Sequence, residues 1–151
     1  MKLLIRSLFS ISVVLLLYSC ATGNSKKVIT ENLEVSEVIN NAAIKVFYFH
    51  TNFRCETCNA VEQFTLDDLK ILYPAEFRDG KIEYQVINVE DKAHKDLVEK
   101  YEVWGQTLLF TKGDKVVDKT TDAFMHVTTN PDKWKSIVKE TVDKLLRKSN
   151  S

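Results

Sequence analysis

The sequence predicts an α/β domain with a central mixed β-sheet of about four to five strands, flanked by helices. Three observations carry this. Ala43 to His50 (AIKVFYFH) is a near-continuous apolar run of β-branched and aromatic residues, the mark of a strand buried on both faces. Strand-like and helix-like segments then alternate to a hairpin signal at Lys112-Gly113-Asp114. The last segment is a strongly amphipathic helix. The chain has 151 residues, enough for one ordinary domain, and 44% of them are hydrophobic, enough for a core.

Val28 to Asn41 fits neither period cleanly and reads as a short strand followed by a short helix. After the Ala43–His50 strand, Thr51 to Arg54 is a polar loop. Cys55-Glu56-Thr57-Cys58 follows and opens a helix whose inner face is Val61, Phe64, Leu69, Leu72 and Tyr73. Pro74 breaks or kinks that helix, and Asp79-Gly80 marks a turn. Ile82 to Val89 makes a second strand. Asp91 to Tyr101 makes a charged helix facing inward through Leu97, Val98 and Tyr101. Thr107–Thr111 and Lys115–Lys119 are the two strands of the hairpin. In the final helix Asn130 is the N-cap and Pro131 the first helical residue, where a missing N–H costs nothing. Trp134, Ile137, Val138, Thr141, Leu145 and Leu146 form its apolar stripe. Asp132 near its start and Lys144, Arg147 and Lys148 near its end complement the dipole.

The N-terminus reads as an address. Lys2 and Arg6 precede an apolar run from Leu8 to Tyr18, too short to span a bilayer comfortably and suited to a secretory signal. Leu17-Tyr18-Ser19-Cys20 resembles a bacterial lipobox. That resemblance implies a signal peptide over 1–19, lipidation of Cys20, a flexible tether over 20–27 and one folded domain over 28–151. The expected location is the cell envelope, lipid-anchored to a bacterial membrane and facing the periplasm.

Lysine plus arginine and aspartate plus glutamate both number 21. A net charge of zero excludes a general positive field for nucleic acid. Three cysteines are too few for a disulfide-stapled scaffold. No Ser/His/Asp nucleophile motif, phosphate loop or HExxH occurs. The chemistry falls to Cys55 and Cys58. At a helix start, unpaired N–H groups and the dipole favour a thiolate, and a second thiol three residues on can resolve a mixed disulfide. A disulfide closing so short a loop adds little stability, which favours redox use over a static bridge.

The strand–CxxC–helix order, the segment Tyr101 to Phe110 (YEVWGQTLLF), Gly113 in its turn and the final helix resemble the thioredoxin-like superfamily from about Lys45 to Leu146. His50 ending an aromatic strand, the CxTC motif and Gly80-Lys81-Ile82-Glu83-Tyr84 are similar to small bacterial lipoproteins labelled nitrophenyl compound nitroreductase subunits. The superfamily resemblance implies that Cys55 attacks and Cys58 resolves, and that Trp104, Gly105, Gln106 and Thr107 form a substrate-facing loop. Arg54 is expected to favour a Cys55 thiolate and Glu56 to oppose it. His50, beside the Cys loop, is a possible modulator, and Phe53 and Trp104 a possible apolar rim.

Three departures from the superfamily stand out. Phe53-Arg54 replaces the usual Trp before the first Cys. Phe49 replaces its buried acid. The stretch 104–107 lacks the proline that normally faces the thiols. That proline is thought to keep metals away, so its loss leaves a soft-metal alternative using Cys55, Cys58 and His126. Met125-His126 is itself a tempting copper pair. A redox-inert lipoprotein with a static disulfide is a third reading. No cofactor is expected, since nothing looks like a flavin or nicotinamide site. The expected partner is a protein dithiol or disulfide, such as a membrane electron donor, engaged by a monomer.

Overall fold

The computed structural model describes residues 43–147. The signal peptide over 1–19, Cys20 and its tether, the strand and helix expected over 28–41, and Lys148 lie outside the described residues.

The central strand is β1 (Ile44–His50), and of its seven residues only Lys45 is exposed. Side chains alternate across a strand, so β1 feeds two cores. Val46 and Tyr48 enter one, while Phe47 and Phe49 enter the other. β2 (Ile82–Asn88) pairs parallel to β1, with Ile44 opposite Ile82 and His50 opposite Asn88. β3 (Thr107–Lys112) pairs antiparallel on the other side of β1, with Phe49 opposite Thr107. β4 (Lys115–Asp118) completes the hairpin and forms an edge. Gly113 turns that hairpin at a φ of 58°, a left-handed conformation suited to glycine. The order is β2-β1-β3-β4: one mixed sheet of four strands among the described residues.

Helices cover both faces. α1 (Glu56–Leu72) ends at Tyr73, and Pro74 starts the short α2 (Pro74–Arg78) rather than kinking α1. The Tyr73 hydroxyl donates to the Lys139 carbonyl (3.0 Å) and to Asp143 (2.7 Å), tying this junction to the last helix. The segment expected as one helix from Asp91 divides. A 3₁₀ turn spans Lys92–His94, capped by the Asp91 carboxylate accepting from the Ala93 N–H, and α3 runs Lys95–Tyr101. Asp91 satisfies the backbone locally and so sets the tighter first turn. Leu97, Val98 and Tyr101 pack on the smaller core with Phe47, Phe49, Ile87 and Leu109. α3 ends at Glu102, whose φ of 52° is the left-handed conformation that terminates helices.

α4 (Thr120–His126) was not anticipated from the sequence. One cross-hairpin contact and one local cap hold its start. The Leu108 N–H donates to Thr120 Oγ1 (2.9 Å), the Thr120 N–H donates to Asp118 (2.7 Å), and Ala123 is fully buried. α5 (Pro131–Leu146) matches expectation: the Asn130 side chain accepts from the Lys133 N–H (3.1 Å) and Pro131 opens the helix. Its buried face is Trp134, Val138, Thr141, Val142 and Leu145, with Ile137 and Leu146 partly buried alongside. Val142 belongs to this face and was absent from the expected stripe. Among the described residues no helix is long and apolar enough to cross a membrane.

Candidate active site

The chain leaves the sheet at His50 and reaches α1 within five residues, which puts the Cys pair at the C-terminal end of the central strand. Cys55 is the N-cap of α1, in extended backbone (φ −85°, ψ 165°). Its Sγ accepts a hydrogen bond from the Cys58 N–H at 3.0 Å, the place a capping serine or aspartate oxygen would take. Cys58 lies in the first turn, and the two sulfurs are joined in a disulfide with the α-carbons 4.9 Å apart. The sulfurs are not equivalent. Cys55 is half-buried at the helix tip, whereas Cys58 is buried at 3% exposure. Glu56 is exposed at the first helical position, where its charge suits the dipole.

The stretch 104–107 does face the Cys loop. Gln106 Nε2 donates to Thr51 Oγ1 (3.2 Å) and to the Phe53 carbonyl (3.2 Å). Thr51 Oγ1 in turn donates to that same carbonyl (3.1 Å). Thr107 starts β3 opposite Phe49. A glutamine side chain therefore makes the cross-loop tie in a loop without proline. Gly105 has open space where a Cβ would stand, so nothing among the described residues crowds the loop there. Phe53 and Trp104 are 77% and 88% exposed, and as large aromatics open to solvent on two tied loops they are rim rather than core.

A second tie holds the loop from the β2 side. Asn52 donates to the Glu90 carboxylate and accepts from Asn88 Nδ2 at 2.8 Å. Beyond it, a cavity of about 420 Å³ opens between Val89, Val98 and Trp104, with Glu90, Glu99 and Glu102 around it.

Arg54 is placed differently from expectation. Its guanidinium pairs with Glu62 on α1 and lies 5.8 Å from the centre of the Tyr48 ring. Glu62 thus pairs with the charge that was expected to serve Cys55. Tyr48 is fully buried, and its hydroxyl has no partner among the described residues; burial pushes its phenol up to about 12, against the lowering pull of Arg54. Tyr84 donates to the Glu62 carbonyl (3.1 Å), and burial, chiefly, pushes it up as well. His50 is half-buried, with Nδ1 donating to the Thr51 carbonyl (2.8 Å), so one ring nitrogen is engaged with backbone.

The proposed soft-metal set does not assemble. His126 closes α4 and lines a cavity with β4 and α5, and no group of three or more His, Cys, Asp or Glu side chains among the described residues could hold a metal ion. Met125 is exposed.

No protein-family model matches the chain, and no curated protein matches it. The resemblance to nitroreductase-subunit lipoproteins therefore rests on the residues quoted above alone. Solved structures do resemble it. Thioredoxin O2 from Arabidopsis thaliana, oxidised, is 19% identical, covering 72% of this chain and 86% of its own, with a TM-score of 0.45. Mitochondrial thioredoxin 3 from Saccharomyces cerevisiae, also oxidised, is 18% identical over 72% and 89%, with a TM-score of 0.41. The germline-specific thioredoxin Deadhead from Drosophila melanogaster is 18% identical over 82% and 99%, with a TM-score of 0.43. The fold is thioredoxin-like. The chain's own topology makes it so: a parallel β1–β2 pair, an antiparallel β3–β4 hairpin, and a helix that begins on a Cys-x-x-Cys disulfide after the central strand.

Proposed function

We propose that the protein is a thiol–disulfide oxidoreductase, anchored to a bacterial membrane through Cys20 and exchanging electrons with a protein partner in the cell envelope. The observation that carries this reading is the asymmetry of the pair: Cys55 is half-buried at the helix tip, and Cys58 is buried one turn in. In the reducing direction the Cys55 thiolate attacks a partner disulfide. A Cys55–partner disulfide forms and one partner thiolate leaves. The Cys58 thiolate then attacks the Cys55 sulfur, closing the intramolecular disulfide and releasing the second partner thiolate. Two electrons pass to the partner, and a dithiol donor restores the pair.

The rim supports a protein rather than a small-molecule partner. Phe53 and Trp104 are exposed beside the site, and aromatic residues of this kind are typical anchors of protein interfaces. The open backbone at Gly105 gives an extended segment room to approach.

The test is insulin reduction by the purified protein with dithiothreitol as electron source. Wild type is expected to accelerate precipitation of the insulin B chain, and Cys55→Ser to fall to the rate of dithiothreitol alone. Equal rates for the two would end the proposal. The anchor is tested by fractionating cells that make the full chain. Cys20→Ala should move the protein out of the membrane fraction; a variant that stays there removes lipidation at Cys20 as the attachment.

A further inference from the structure

The pairing of β1 with β3 ends at Phe49 opposite Thr107. Beyond that point the sheet no longer holds the two chains together. One runs on through Thr51 and Phe53 to the Cys pair; the other runs back through Gln106 and Gly105 to Trp104. Gln106 carries the junction past the end of the ladder. Its Nε2 donates to Thr51 Oγ1 and to the Phe53 carbonyl, each at 3.2 Å, so both N–H groups of the amide are used. Thr51 Oγ1 donates to the same carbonyl at 3.1 Å, which fills both lone pairs of the Phe53 oxygen from within the chain. Among the described residues these Gln106 bonds are the hydrogen bonds that join the two segments beyond the ladder. The neighbouring ties go elsewhere: Asn52 to Asn88 and Glu90 at the end of β2, and Arg54 to Glu62 on α1.

Each of the two segments carries one exposed aromatic, Phe53 on the first and Trp104 on the second. The Gln106 side chain is anchored on the backbone of the residue that bears one ring, and its own backbone lies two residues from the other. The spacing of the two halves of the rim is thus set by one side chain rather than by the sheet. We infer that Gln106 is a positioning residue for protein partners: it fixes the spacing of the two segments against which a partner's disulfide-bearing stretch lies, and it does so without acting on the Cys55 sulfur. This rests on the reading of the protein as an oxidoreductase for protein disulfides. Ordering both segments around a bound chain costs less when they are already joined. A small disulfide needs only the sulfur and gains nothing from the tie.

Second-order rate constants of the reduced full-length protein with insulin and with hydroxyethyl disulfide, each corrected for the Cys55→Ser background, test this. Gln106→Met is close in size and has no donor. It should lower the insulin constant roughly fivefold, the scale of one or two net hydrogen bonds. The hydroxyethyl disulfide constant and the pH dependence of Cys55 alkylation should stay as in wild type. Thr51→Val, which removes the hydroxyl anchor, should act in the same way, and Thr51→Ser, which keeps it, should match wild type. Both residues serve one tie, so Gln106→Met/Thr51→Val should fall by less than the product of the single effects. Unchanged insulin constants in Gln106→Met and Thr51→Val, or an equal fall with both disulfides, would overturn the inference while leaving the oxidoreductase reading in place. A wild type that does not reduce insulin defeats that reading, and this inference with it.

Discussion

Cys58→Ser is expected to turn the protein from a catalyst into a trap. With Cys55 intact, the attack on a partner disulfide still proceeds and the mixed disulfide still forms. The buried thiol that would release it is gone. Cys58 lies one turn inside α1, buried, and its backbone N–H points at the Cys55 sulfur. Serine keeps that N–H and most of the volume, so the fold should survive. Incubation with an oxidised protein substrate followed by non-reducing electrophoresis and mass spectrometry should show near-stoichiometric adduct through Cys55. Insulin turnover should fall close to background. The double variant Cys55→Ser/Cys58→Ser should give no adduct. An adduct formed through Cys58 in Cys55→Ser, at the rate seen for Cys55, would reverse the roles assigned here.

Trp134→Ala should be the most destabilising single change in the domain. Trp134 is the largest fully buried side chain, and it sits in the main core with Tyr48, Val61 and Leu69 from β1 and α1. Removing a buried aromatic of this size costs about 3–5 kcal/mol, lost transfer energy and residual cavity together. Natural domains have only about 5–15 kcal/mol in total, so the variant should stand close to unfolding. Trp134→Phe should cost far less, because it keeps most of the packing and removes an indole N–H that is buried without a partner among the described residues. Urea unfolding followed by circular dichroism measures both. A loss below about 1 kcal/mol for Trp134→Ala would mean the core is not organised around this helix.

The elements legible in the sequence are those whose cause is local. The Ala43–His50 run reads as a doubly buried strand because alternation fails there, and both cores receive its side chains. Asn130-Pro131 marks the start of α5 because cap and first turn are neighbours in sequence. The Cys pair is legible for the same reason. α4 is not. Its N-cap, Lys119, makes no side-chain cap, and Thr120 is held both by Asp118 two residues back and, out of sight of the sequence, by the Leu108 N–H across the hairpin. The polar frame of the site is equally hidden. Asn52 meets Glu90 38 residues on, and Gln106 reaches back 55 residues to Thr51. No spacing rule announces such pairs. Gln106 was in view as part of a substrate-facing loop, but its role as the tie needed the fold. The pairing of Arg54 with Glu62, eight residues on, is likewise visible only in the fold.

The central claim is that Cys55, half-buried at the tip of α1, is a reactive thiol once the disulfide is reduced. The pH dependence of its alkylation by iodoacetamide, resolved by site with mass spectrometry on freshly reduced protein, tests this most directly. A free cysteine titrates near 8.5. Cys55 should titrate modestly below that, with a gain at pH 7 of roughly three- to fourfold per unit of depression, since nucleophilicity falls as the thiolate fraction rises. Buried Cys58 should react far more slowly at every pH. A Cys55 that reacts at pH 7 no faster than free cysteine, or no faster than Cys58, would contradict the account.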